Sequence, residues 1–452
     1  MKYILYSVIF SIVLMGCSVE NAEKIASDLR FSTDTLLFDT LFTQKGSFSK
    51  RLTVYNDGLT DVIIPGISIS NNSSTFYKLI ISGIESNSVE NIKLRARDSL
   101  LILASVNIDP SQTNLPFIVK DSIEFSLFNN KKYIDLIAWG QNAHFISDSI
   151  LVCNQFWAAD KPYVIYNSIL IDSLCSLTIE KGAKIYSHKN SAIFVKGSLI
   201  AQGTPAERIT FMNDRFDGDY LNYSGQWEGI YFLEGSVNNK IEFTDIKNSI
   251  IGIRIGSPDN DTTWDLELNQ VLIENSSSYG ILSFTSDLKM INTAVVQSGI
   301  RAIGLYLGGN YHIENCTLLN HNFSQVRREG LLLMSDNILL ADNTVLREDF
   351  NLEFYNNVVW GNLIEEITVS NSGFTVFSMD IQKCLLKTQN IEFFNGNIIN
   401  QEPIFTNYNN YFILPGINSP LIDSGFDYGN TIDLLGNTRI GNPDIGAIES
   451  LQ

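Results

Sequence analysis

The sequence predicts an all-β chain in two parts: a sandwich of short strands, then a solenoid of stacked coils. Three observations point there. First, one phrase recurs between residues 266 and 321. Asn269 opens Asn-Gln-Val-Leu-Ile, Asn292 opens Asn-Thr-Ala-Val-Val and Asn315 opens Asn-Cys-Thr-Leu-Leu, at steps of 23 and 23 residues. A fixed period in the low twenties, led by an asparagine, marks a coil that stacks on copies of itself. Second, Gly229-Ile230, Gly252-Ile253 and Gly280-Ile281, with Gly304-Leu305 and Gly330-Leu331 as variants, repeat at steps of 23, 28, 24 and 26 residues. Third, the stretch 35–143 is a series of short strand-like runs separated by turn residues.

Composition agrees with this class. A chain of 452 residues has room for two or three domains, and 44% hydrophobic with 11% aromatic content supports a sizeable core. Charged residues make up only 18%, while Asn, Ser, Thr and Gly are abundant, a balance suited to a β-rich extracytoplasmic protein. The net charge of −18 excludes nucleic acid as a partner, because no basic excess exists to neutralise phosphates. It also disfavours polyanionic glycans unless bound cations mediate the contact.

Taken in order, Met1-Lys2-Tyr3 is a short basic start and 4–14 is an apolar run of 11 residues. That run is too short for a permanent membrane span and has the length of a signal-peptide core. It ends in Leu14-Met15-Gly16-Cys17, which resembles the bacterial lipobox. The resemblance implies that Cys17 becomes a diacylated N-terminus, and two acyl chains anchor a protein stably to a bilayer. The expected location is therefore the bacterial envelope, with the outer membrane as the expected site. Residues 18–34 read as a tether.

The stretch 35–145 carries strand patterns at 35–42, 49–55, 62–70, 76–82, 100–108, 122–128 and 133–139. Seven short strands in about 110 residues predict a sandwich of immunoglobulin type. The phrase Val54-Tyr55-Asn56-Asp57-Gly58, followed by Ile63-Ile64-Pro65-Gly66-Ile67, resembles bacterial relatives of the immunoglobulin-like domains of ciliary and centrosomal proteins. That implies a spacer or binding module without catalytic residues. Residues 146–162 read as a linker, with Trp157 and Tyr163 packing the joint.

Beyond it, Leu177-Thr178-Ile179-Glu180-Lys181-Gly182-Ala183 leads into Ile193-Phe194-Val195-Lys196-Gly197-Ser198-Leu199-Ile200-Ala201-Gln202-Gly203-Thr204. This text resembles the opening coils of right-handed parallel β-helices of the pectin-lyase-like class, expected here over 163–415. Glycines would turn the corners, and β-branched runs would stack from coil to coil. Asn269, Asn292 and Asn315 would form a ladder of bonded amides, with Glu242 in the preceding slot, Asn356 resuming it and Lys383 following. The parity of the apolar runs after these residues stays ambiguous, because they are apolar at every position.

The end of the chain, Ser419-Pro420-Leu421-Ile422-Asp423-Ser424-Gly425, then Asp433 to Arg439, then Asp444 to Glu449, is similar to the closing segment of many bacterial surface β-helix proteins. It implies a cap over 416–452, in which Arg439 pairs with one of Asp423, Asp433 or Asp444.

Chemistry is expected in loops. Asp214, Asp217 and Asp219, after Asn213, bring three carboxylates within six residues, a set that could hold calcium. Asp259, Asp261 and Asp265 form a second acidic turn, and Trp264 within it would serve as a sugar-stacking platform. Glu242, Asp265 and Asp287, at steps of 23 and 22, would stack as an acidic column. Arg327 and Arg328 are candidate contacts for an anionic sugar. His144, His188, His312 and His321 fall in no known catalytic context, and the polygalacturonase-type motifs are absent. Cys153, Cys175, Cys316 and Cys384 form no Cys-x-x-Cys pair, so they read as buried small apolar side chains rather than disulfides or zinc ligands. No cofactor is called for, calcium being the one the acidic loops admit. The function expected is an envelope-anchored lipoprotein presenting its helix to a glycan or surface protein, without catalysis. The alternatives are a polysaccharide lyase or glycoside hydrolase, and an adhesive or structural spacer.

Overall fold

The computed structural model describes residues 24–43, 46–70, 76–109, 117–216, 218–256, 263–321, 326–407 and 412–450. Cys17 and the start of the tether lie outside the described residues. The chain divides into two compact units, 1–142 and 143–452.

The first unit is a β-sandwich. One sheet joins Lys24–Ile25, Val62–Ile69, Phe117–Ser126, Lys131–Gln141 and Thr35–Phe42 in that order, with Ser88–Leu94 also pairing with Val62–Ile69. The other joins Arg30–Phe31, Lys50–Tyr55, Ser99–Val106, Tyr77–Ile81 and Ile84–Glu85. Alternate residues of both sheets, such as Leu52, Val54, Ile64, Ile67, Ile102, Phe125 and Leu136, meet in one core. The tether reading is corrected at its end: 24–31 form two short strands, and Ala26 and Leu29 are buried in the core. Ser88–Leu94, which the sequence does not announce, is a mostly polar edge strand with a single buried residue, Leu94.

The second unit is a parallel β-helix. Among the described residues, 23 strands join in one sheet whose pairings are parallel, each coil bonded to the next. Every full coil has three faces. In one coil they are 271–276, 279–284 and 286–291; in the next, 294–298, 301–306 and 309–314 stack on them in the same order. Inward residues of all three faces (Ile273, Ile281, Leu288 and Met290 in that coil) fill a continuous core. Glycine is required where a neighbouring coil crowds the backbone. At Gly229, with φ of +129°, a Cβ would lie 1.7 Å from the carbonyl oxygen of Ile251.

The helix starts earlier than the sequence indicates. Residues 146–162, read as a linker, contain most of His144–Ile150 and all of Gln155–Trp157, which pair in parallel with Tyr163–Ile171 and Ser176–Ile179. Trp157 and Tyr163 stack at 4.3 Å inside these first coils. Cys153 and Cys175, one coil and 22 positions apart, form a disulfide, which corrects the expectation of four unpaired cysteines. Cys316 and Cys384 are free and buried. Burial pushes the Cys316 thiol up to about 12, so neither chemistry nor metal binding is expected of it.

The corner between the third and first faces takes one residue at positive φ per coil: Gln270, Asn292, Asn315, Asn356 and Lys383. Asparagine tolerates that conformation better than most residues. The next residue points inward and accepts the backbone N–H of the previous coil. Thr293 Oγ1 accepts from Val271 (3.3 Å) and Asn357 Oδ1 from Cys316 (2.7 Å); after Gly396, also at positive φ, Asn397 Oδ1 accepts from Cys384 (2.8 Å).

The C-terminal segment seals the helix along its flank. The outward residues of the first face, Ala294, Val296, Leu319, Val358, Trp360 and Leu385, pack beneath Leu421, Leu434, Ile445, Ala447 and Ile448. This explains why the runs after the asparagines are apolar at every position: one side meets the core and the other meets this strap. The strap runs back across the coils, from Asn356, which bonds Phe426, to Arg208, which donates to the Leu434 carbonyl (3.1 Å).

Candidate functional site

The third face presents two outward columns that run along the coils. One is Lys240, Glu267, Lys289, His312, Glu353 and Asp380; the other, two residues further on, is Glu242, Asn269, Ile291, Glu314, Tyr355 and Gln382. Strand alternation turns both columns away from the core, which takes Ile241, Leu268, Met290, Ile313 and Phe354 between them.

At the late coils these columns build a cluster. His312 Nδ1 lies 2.7 Å from Glu353 and its Nε2 lies 3.1 Å from the buried Glu314. The other Glu314 oxygen accepts from the side-chain amide of Asn430 in the strap. The two carboxylates, Glu314 foremost, hold the His312 imidazole above its usual range. Tyr355 donates to Asp380 at 2.6 Å, and burial followed by that acceptor raises its phenol. The Tyr355 ring stacks on Tyr428 of the strap at 4.8 Å, and Phe426 meets Tyr428 edge-on at 5.0 Å.

Towards the earlier coils the face opens into a groove of about 540 Å³, lined by Gln202, Lys240, Trp264 and Glu267 among others. Trp264 stands between groove and cluster, its ring 6.5 Å from His312. The sequence marked Trp264 as a ring platform from its acidic turn. It did not mark Glu314, Glu353, Asp380, Tyr428 or Asn430. Their shared surface depends on the one-coil register and on a strap more than a hundred residues away in sequence.

The remaining predicted residues fall elsewhere. Asp214 takes His188 Nδ1 at 2.8 Å, an imidazole rather than a loop of oxygen ligands. Asp217, Asp259 and Asp261 lie outside the described residues, as does the side chain of Asp219. Asp265 and Asp287 do stack, Asp265 Oδ2 accepting the Asp287 N–H at 2.9 Å, and Asp287 takes Asn310 at 2.7 Å. Glu242 is not in that column; it pairs with Asn269, three positions past Leu266. Among the described residues no three His, Cys, Asp or Glu side chains gather as metal ligands. Arg327 is buried against Glu366 at 2.6 Å and so is not a sugar contact, while Arg328 is exposed.

The asparagine ladder is shorter than expected. Asn269 pairs with Ile291, and Gln270 holds the corner, so the first 23-residue step spans two different positions. Asn356 donates to Asn315 at 3.4 Å, and Asn315 and Asn292 turn to the strap. A second ladder occupies the corner between the first and second faces. There Asn248 donates to Asn213 (2.8 Å) and Asn275 to Asn248 (2.7 Å). The repeated Asn-Ser of Asn248-Ser249 and Asn275-Ser276 was its signal in the sequence. Arg439 pairs with Glu449 at 3.1 Å and with Asn292 at 2.7 Å, not with the carboxylates of Asp423, Asp433 or Asp444. Asp433 and Asp444 instead accept backbone N–H groups and shape the strap's turns. Asp423 itself sits at positive φ in one of those turns.

No known family and no curated protein matches the sequence. Solved structures match over limited stretches. A family 123 glycoside hydrolase from Clostridium perfringens shares 10% identity over 25% of this chain and 25% of its own, with a TM-score of 0.19. The ASH/PapD-like domain 7 of human CEP192 shares 14% identity over 26% of this chain and 86% of its own, with a TM-score of 0.18. The E. coli chaperone DraB shares 7% identity over 25% of this chain and 55% of its own, with a TM-score of 0.17. The chain spans a quarter of the hydrolase chain it matches. The chain is an all-β protein whose parallel β-helix displays an aromatic and acidic face.

Proposed function

We propose that this protein is an envelope-anchored lipoprotein whose third face binds glycan without turning it over. The observation that supports binding is the alternation of rings and polar groups along one solvent-facing surface: Trp264, His312, Tyr355 and Tyr428 beside Glu267, Glu353 and Asp380. Rings with polar groups at their edges suit a sugar, which has apolar faces and hydroxyl rims. The absence of turnover is supported by His312. Both of its nitrogens are engaged by carboxylates, so neither is free to take a substrate proton.

The test is a glycan array on the full chain, run beside an assay for new reducing ends and unsaturated products, with and without calcium. Retention that falls in Trp264→Ala and Tyr428→Ala, without product, is the expected result. Product formation would overturn the non-catalytic reading. Anchoring is tested separately by palmitate labelling, which Cys17→Ser should abolish.

A hydrolase or lyase reading has one observation in its favour. His188, 45% exposed, is oriented through Nδ1 by the Asp214 carboxylate, with the Tyr166 ring tilted against it at 4.7 Å. Product formation that is lost in Asp214→Asn would move the function there.

A further inference from the structure

We infer that the late-coil end of the third face selects glycans that carry free, protonated amino groups. This rests on the glycan-binding reading and names its ligand class. The face changes character along its length. At the early coils Lys240 and Lys289 alternate with Glu267 in one column. At the late coils the same column continues as His312, Glu353 and Asp380, and Glu314 joins it from the next. The only cation in those four positions is His312, and it is already held between Glu314 and Glu353. Glu353 keeps 59% of its side chain exposed, and Asp380 is exposed too, so both carboxylates can meet a ligand from solvent.

The second half of the site comes from the strap. Phe426 and Tyr428, 55% and 38% exposed, stand as a wall beside Tyr355. An ammonium group is held best where a carboxylate supplies charge-assisted hydrogen bonds and a ring face supplies cation–π attraction. A neutral acetamido or hydroxyl group can still donate to the carboxylate, but it brings neither the opposite charge nor the cation–π attraction. The register adds a spacing argument. Glu353 and Asp380 are direct partners on adjacent coils, which lie ~4.8 Å apart. That spacing lets both carboxylates reach one ammonium group presented from solvent. The net charge of −18 favours the approach of such a polycation.

The test is calorimetric titration of the full chain with three hexasaccharides: β-1,4-linked glucosamine, its fully N-acetylated form and a β-1,4-glucan. Binding of the free-amine form about tenfold tighter than the other two is expected, a difference of 1.4 kcal/mol. That preference should shrink towards unity in Glu353→Gln/Asp380→Asn and at high salt, while the N-acetylated form binds as before. Equal binding of all three sugars would overturn the amine selectivity and leave glycan binding standing. A preference that survives the double substitution would overturn the placement at these carboxylates. Failure of all three here, with an empty array, would remove both readings.

Discussion

His312 shows how much one residue's neighbours decide. The groups that face it are Glu314 and Glu353 through hydrogen bonds, and Trp264 and Tyr355 through their rings. Its folded-state pKa is raised, so the charged form gains stability from folding. That contribution is fully present below the unfolded value of about 6.5 and is lost as pH rises through the raised folded value. The Tm difference between wild type and His312→Gln should therefore be largest below pH ~6.5 and decline above it. A difference that stays flat with pH would show that the contacts are not ionic. Gly229 carries a steric prediction. Gly229→Ala should cost about 2–4 kcal/mol, from a Cβ forced onto the Ile251 carbonyl and from the strained φ, read by denaturant melts. Single residues were legible where their role is local, as with Asn292, Asn315 and Asn356 at the corners. Glu314 and Glu353 were not, because Glu314 is buried under a strap far away in sequence and Glu353 meets the imidazole only through the coil register.

At the scale of elements, the strap and the corners explain both the successes and the misses. The repeat was visible because each coil buries its own short apolar run. Its register was not. Asn269 shares the period of Asn292 without sharing its position, since turn lengths vary by a residue from corner to corner. The strap's motifs were recognisable, but its path over the first face is set by long-range packing that no local pattern records. Its latch is the buried pair of Arg439 and Glu449. Burial lowers the affinity of Arg439 for its proton and raises that of Glu449, while the contact between them offsets both. Arg439→Met should cost about 3–5 kcal/mol by leaving Glu449 buried and unpaired. It should also speed proteolysis within 421–449 and weaken glycan retention, since Tyr428 rides on the same strap. Unchanged proteolysis would mean that apolar packing alone holds the strap. At the other end, Cys153→Ser/Cys175→Ser opens a 22-residue loop and should cost about 3 kcal/mol. Hydrogen exchange should localise that loss to the first coils; a global effect would contradict it.

For the whole molecule, the all-β class and the division into sandwich and helix followed from strand patterns and from one period. The boundaries did not: 24–31 joins the sandwich and 144–157 joins the helix, because short strands at an edge carry few apolar residues. The strap also bears on how the helix melts. A stack of coils is nearly one-dimensional, each coil touching only its neighbours, so it would ordinarily unravel piecemeal. Here residues 421–448 lie across the flank of many coils at once. Contacts such as Arg208 with Leu434, 226 residues apart, tie early turns to late ones. A chain stopped before residue 416 should accordingly lose its sharp melting transition and show a broad, stepwise one by calorimetry, whereas a transition that stays sharp would count against the tie. Until residues 416–450 arrive, the nascent helix has an uncovered apolar side, so its cooperative closure waits for that segment.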